Sequence, residues 1–120
     1  MAVALADAQP LEICLADTIG AGNPAQVASL FGKVRAAVPQ IPLRAHFHNT
    51  RGTGLANAWV AVQAGATTID AALGGLGGCP FAPGAAGNIS TEDVVYMFEQ
   101  SGIGTGLNLE TLIKTNHWLG

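Results

Sequence analysis

Charge is scarce in this chain: only 11% of its 120 residues are Asp, Glu, Lys or Arg, less than half of the ~25% of an ordinary globular domain. Five basic residues spread along a chain of net charge -3 form no patch that could neutralise a phosphate backbone, which excludes nucleic acid as a partner. Cysteine is nearly absent as well. Cys14 and Cys79 could pair only once, and neither belongs to a C-x-x-C motif, so a disulfide scaffold and a structural zinc cage are both excluded and a reducing compartment, the cytoplasm, is expected. No long apolar run is present either. Residues 71–91 carry no charge, but six glycines and two prolines interrupt them, and a spanning helix of ~20 apolar residues cannot be built that way. Membrane is therefore excluded as a partner. Met1 to Ala8 lacks a basic start and an apolar stretch, so it reads as the end of a helix rather than a secretion signal.

What the chain does contain is apolar residue and glycine: 49% hydrophobic side chains and 16 glycines, enough for one packed domain over residues 1–120 and too little for two. Leu11 to Asp17 is a short apolar run that ends in a carboxylate and breaks at Gly20 and Gly22, which predicts a buried strand and a turn. Asn23 and Pro24 predict a helix start, and Val27, Leu30, Phe31, Val34 and Val38 recur at three and four residues along one face until Pro39. Pro42 to His48 is again a strand. Gly52 and Gly54 open a helix with Leu55, Trp59 and Val62 inward until Gly65. Thr67 to Ala72 supplies a third strand rich in β-branched residues, and a very short fourth is expected around Gly87, Asn88 and Ile89. Ser90-Thr-Glu-Asp93 resembles a capping box before a helix that uses Val94, Val95, Met97 and Phe98 as its core face. A last helix begins at Asn108 with Leu109, Leu112 and Ile113 inward. Strands alternating with helices at this spacing imply right-handed crossovers and a parallel sheet, an α/β fold. A (β/α)8 barrel needs about 250 residues, so at most half of one is present.

The groups able to do chemistry collect at predicted strand ends. His46 and His48 are two apart, so on a strand both point to one face and could share an ion. Two satisfied polar residues at a strand mouth are the competing reading. Asn88 would add an amide oxygen at another strand end, and two imidazoles with an amide suit Mg²⁺ or Mn²⁺. Asp17 could orient a ligand or accept a proton, or could simply cap the turn toward Asn23. Cys79, between Gly78 and Pro80, is a candidate reactive thiol, whereas Cys14, inside an apolar strand, is expected to be a small core residue. Gly74 to Gly78 has neither the G-x-G-x-x-G nor the G-x-x-x-x-G-K-[ST] spacing, and a nucleotide loop is rejected. Arg44 and Arg51, flanking the histidines, are read as solvated strand ends, or as groups that meet an acidic substrate. His117 is read as a surface residue.

Taken in order, Leu15-Ala-Asp-Thr-Ile-Gly-Ala-Gly22, Ala45-His-Phe-His-Asn-Thr-Arg-Gly52 with Leu55-Ala-Asn57, Gly74-Gly-Leu-Gly-Gly-Cys-Pro-Phe-Ala-Pro-Gly84, Gly87-Asn88 and Thr91-Glu-Asp-Val-Val-Tyr-Met97 resemble the C-terminal half of the 3-hydroxy-3-methylglutaryl-CoA lyase family. The resemblance implies the second half of a TIM barrel, running from about strand 5 to the C-terminal helices. It implies His46, His48 and Asn88 as ligands of a divalent cation, Mg²⁺ or Mn²⁺. It further implies Cys79, Asp17 and His46 as catalytic groups and Thr18, Gly77 and Gly78 beside an acyl-CoA substrate. The reaction implied is cleavage of a 3-hydroxyacyl-CoA to acetyl-CoA and a ketoacid, acetoacetate in the named case, which belongs to leucine degradation. The family's first-strand aspartate and arginine have no counterpart here, which implies either a truncated fragment, inactive alone, or a natural half-barrel, whose open strand edges would self-associate, close against another half, or aggregate. The alternatives are an acyl-CoA condensing synthase of the same barrel, from which the Gly-Gly-Cys-Pro loop differs, and a non-catalytic half-barrel.

Overall fold

Three parallel strands form one sheet in the order β1 (Ile13–Asp17), β2 (Leu43–Phe47), β3 (Ala66–Asp70). The structure is a computed structural model describing residues 1–77 and 87–120. Each strand returns to the sheet through a helix, which is what a parallel neighbour requires: α2 (Pro24–Ala37) joins β1 to β2, and α3 (Gly54–Gln63) joins β2 to β3. A short α1 (Ala2–Ala6) precedes the sheet, and a 3₁₀ turn (Leu73–Gly75), α4 (Thr91–Gln100) and α5 (Leu109–Leu119) follow it. Among the described residues no helix is long and apolar enough to cross a membrane.

Alternation along β2 separates the two faces of the sheet. Leu43, Ala45 and Phe47 are buried against the helices, while Arg44 and His46 between them are half-buried and face the other way. Val27, Phe31 and Val34 of α2 and Ala58 and Ala61 of α3 complete the covered core. Phe31, 1% exposed, sits at its centre with its ring 6.4 Å from that of Phe47, and burying one such ring stabilises the fold by about 1.5–3 kcal/mol. The register aligns Arg44 with Thr68 and His46 with Asp70, with an irregularity between Leu43 and Arg44 that leaves Thr67 as the extra residue. This shift brings a carboxylate opposite the first histidine.

Alternating parallel strands and helices in an open, unclosed sheet are the architecture of half a (β/α)8 barrel, as expected. Three details differ from the sequence reading. Residues 87–90 form two isolated bridges, His48 with Asn88 and Ala72 with Ser90, rather than a strand, because Ser90 already caps α4 and leaves too few residues for a ladder. Leu30 and Ile113 are exposed, and α5 has no fully buried residue, since the described residues offer these side chains no facing layer. Cys14 is exposed because it alternates with the core residue Ile13 and so points to the open face.

Candidate metal and acyl-CoA site

His46, half-buried on β2, and His48, buried just past the end of that strand, lie two residues apart with their rings together. Their Nε2 atoms are 3.2 Å apart, about the separation of neighbouring nitrogens around one divalent ion with metal–nitrogen distances near 2.1 Å. His46 Nδ1 lies 2.9 Å from Asp70 Oδ2. An ionised carboxylate only accepts, so this contact favours the tautomer with the ring proton on Nδ1 and the Nε2 lone pair turned toward His48. Asn88 is tied to the same place twice. Its backbone bridges His48, and its side chain lines a cavity of ≈430 Å³ together with His46, Thr68 and Asp70. Asn88 Nδ2 donates to Leu76 O at 3.1 Å, and Oδ1 is buried with no hydrogen-bond partner among the described residues. Such an orphan costs about 1–3 kcal/mol unless a donor or cation meets it. The residues present therefore fit a divalent cation, with two imidazoles and an amide oxygen as the donor set. Among the described residues no three His, Cys, Asp or Glu side chains cluster for a metal, so the amide is essential to that fit.

Asp17 stands elsewhere. Its register partner is Phe47, a residue of the covered face, and its oxygens accept from Ala21 N at 3.0 Å and Gly22 N at 2.8 Å. It thus closes the β1–α2 turn, and the sheet separates it from His46. Gly22 O in turn accepts from Thr53 Oγ1 and Asn57 Nδ2, which fastens that turn to α3. Thr18 is exposed just past β1. Gly77, with φ +96°, passes so close to Asn88 that an added Cβ would lie 3.1 Å from Nδ2. Cys79 and Gly78 lie outside the described residues. His117 is exposed on α5, and Arg51 donates to Gly20 O. Arg44 is partly solvent-exposed but not free: it bonds Asp70 and Glu12 at 2.6 and 2.9 Å.

Asp70 went unmarked in the sequence, although a carboxylate ending a strand beside the histidine strand was the available signal. Burial pushes its pKa up, but hydrogen bonds from Arg44 and His46 outweigh that and hold it below the usual carboxylate range. The bonds to Asp70 and Glu12 in turn raise Arg44. Partial desolvation, with Asp70 nearby, raises the pKa of the Cys14 thiol even though the residue is exposed. Beneath the glycine-rich segment, Glu92 is almost fully buried. Its carboxylate accepts from Gly74 N at 2.9 and 3.1 Å and from Ser90 Oγ at 2.7 Å. Burial raises its pKa, yet the bonds from Ser90 and Gly74 prevail and lower it.

The profile of the HMGL-like family matches residues 1–119. Over 108 residues, 90% of this chain, the sequence is 51% identical to hydroxymethylglutaryl-CoA lyase of Bacillus subtilis. It is equally 51% identical to (R)-citramalyl-CoA lyase of Chloroflexus aurantiacus over 90% of the chain. The crystal structure of the HMG-CoA lyase from Brucella melitensis superposes with a TM-score of 0.88 at 42% identity, covering 98% of this chain and 41% of that one. The aligned part is 36% and 34% of the two relatives, so the chain spans about a third of their length. With the family profile running almost end to end over an open parallel sheet whose strand mouths carry the paired imidazoles, this chain belongs to the HMGL-like family.

Proposed function

We propose that this chain forms the metal-holding half of a lyase that cleaves 3-hydroxy-3-methylglutaryl-CoA, or a related 3-hydroxyacyl-CoA such as citramalyl-CoA, to acetyl-CoA and a ketoacid. One observation carries the reading: two Nε2 atoms 3.2 Å apart, with Asn88, whose buried Oδ1 has no partner among the described residues, bridged to His48. His46 Nε2, His48 Nε2 and Asn88 Oδ1 would hold Mg²⁺ or Mn²⁺, which supplies Lewis-acid polarisation of the substrate's hydroxyl and carbonyl oxygens. The substrate's hydroxyl end then lies on the His46 side of the cavity. A general base of the completed barrel takes the hydroxyl proton, the C2–C3 electron pair passes to the thioester as an enolate, and the former alcohol carbon becomes a ketone. Cys79 is assigned as the acid that returns a proton to the enolate carbon, and Gly78 and Gly77 let its segment approach the acyl group. Asp17 serves the reaction by setting the β1–α2 turn that presents Thr18. The open face of the sheet completes its barrel against another half, from the same or a second polypeptide.

Titrating the purified chain with Mn²⁺ tests this directly. Saturable binding is expected, weakened by at least ~10-fold in His48→Ala, and a folded chain that binds no Mn²⁺ overturns the reading. Cleavage is checked on a full-length barrel in which this chain replaces the matching third of the Bacillus subtilis relative, with acetyl-CoA and acetoacetate as the expected products. Incorporation of acetyl-CoA without cleavage would assign a condensing synthase instead.

A further inference from the structure

We propose that Asp70 is the positioning residue of this site: it fixes the tautomer and ring orientation of His46, and Arg44, braced by Glu12, keeps Asp70 in that pose. This rests on the metal reading above for its purpose, but its geometry stands alone. The chain of contacts crosses the sheet. Glu12, just ahead of β1, accepts from Arg44 Nη1 at 2.9 Å; Arg44 on β2 places Nε and Nη2 on Asp70 Oδ1, each at 2.6 Å; Asp70 Oδ2, at the end of β3, meets His46 Nδ1 at 2.9 Å. Each carboxylate oxygen has a separate task. Oδ1 is engaged by the guanidinium fork, a rigid, directional donor that restricts rotation of the carboxylate. Oδ2 is thereby left aimed at the imidazole.

A neutral imidazole without such a partner exchanges its proton between the two nitrogens, and the Nε2–H form offers no lone pair to a cation. A carboxylate on Nδ1 removes that alternative, the arrangement by which outer groups orient metal-bound histidines. The adjoining ring differs instructively. His48 Nδ1 is buried with no partner among the described residues, so orientation of the pair is imposed from the His46 side, through the 3.2 Å contact between the rings. Asp70 is not simply the counter-ion of Arg44, because that role needs one oxygen and the second is spent on His46.

Nitrogen NMR of the metal-free wild-type chain with isotope-labelled histidine decides the first part, at a pH where the rings are neutral. His46 is expected as the Nδ1–H tautomer, and Nε2–H at His46 overturns the proposal even without a variant. In Asp70→Asn the side-chain amide can donate to Nδ1, so the tautomer is expected to switch and Mn²⁺ affinity to fall about 10–100-fold with the circular dichroism unchanged. Asp70→Glu should recover part of both. A Mn²⁺ affinity within about two-fold of wild type in a correctly folded Asp70→Asn chain would overturn the proposal. If the wild type binds no Mn²⁺ while His46 is Nδ1–H, the metal reading fails and the assignment of Asp70 as the group that sets His46 survives.

Discussion

Gly87 shows how little freedom the site's backbone has. A Cβ there would collide with the carbonyl oxygens of Gly75 and Gly77, and those are main-chain atoms that cannot swing aside. Gly87→Ala should therefore displace Asn88 and weaken Mn²⁺ binding by more than ~10-fold, since the amide loses its place in the donor set; isothermal titration at unchanged helicity checks this. Cys79 calls for the opposite separation. Cys79→Ser should lower turnover of a complete barrel by about 10²-fold or more with Mn²⁺ affinity retained, and unchanged turnover would remove the thiol from the chemistry. The motif Gly-Gly-Cys-Pro is legible in any listing of the residues. The pairing of Asp70 with His46 is not, because the two are 24 positions apart and only strand register brings them face to face.

The helices rest on local chemistry that can be tested one element at a time. Asn23 accepts from Gln26 N at 3.0 Å while the Gln26 side chain accepts from Asn23 N at 3.1 Å, a reciprocal box ahead of Pro24. Asn23→Ala should cost about 1 kcal/mol, read as a lower denaturant midpoint with an unchanged slope. At α4 the expected box is only half formed. Ser90 accepts from Asp93 N at a long 3.4 Å, and its stronger bond goes to Glu92, which reaches back to the 3₁₀ turn instead. Sequence spacing reveals a cap, but whether the acidic residue closes the box or braces a neighbouring turn depends on what lies beside it. Glu92 and Asp70 both have native pKa values below those of the unfolded chain. The stability they contribute is thus present above the ordinary carboxylate value of about 4 and is lost as pH falls below it, through the depressed native values. Acid titration of thermal stability should show this loss, and Glu92→Gln should flatten it while lowering stability at neutral pH by about 1–3 kcal/mol.

Taken whole, the molecule has one face covered by α2 and α3 and one that bears Arg44, His46, Thr68 and Asp70 in the open. Such a face, between strands β1 and β3 that each have one unpaired edge among the described residues, favours association. Light scattering of the purified chain should show mass rising with concentration, and a strictly monomeric, folded chain over the whole range would contradict it. In a closed barrel this polar face becomes the interior, where exclusion of water strengthens each of its charge interactions.

Local periodicity carried the α/β class, the order of elements and most helix caps, since apolar spacing and capping are properties of neighbouring residues. The same spacing put His46 and His48 on one side of a strand. It could not reveal that Asp17 and His46 face opposite ways, because both end strands and their directions depend on the register between β1 and β2. Nor could it reveal that Arg44, though partly exposed, is committed to Glu12 and Asp70. Those outcomes follow from strands laid side by side, where a shift at Leu43 and Arg44 selects which carboxylate meets which ring, and no pattern along a single stretch of chain encodes that choice.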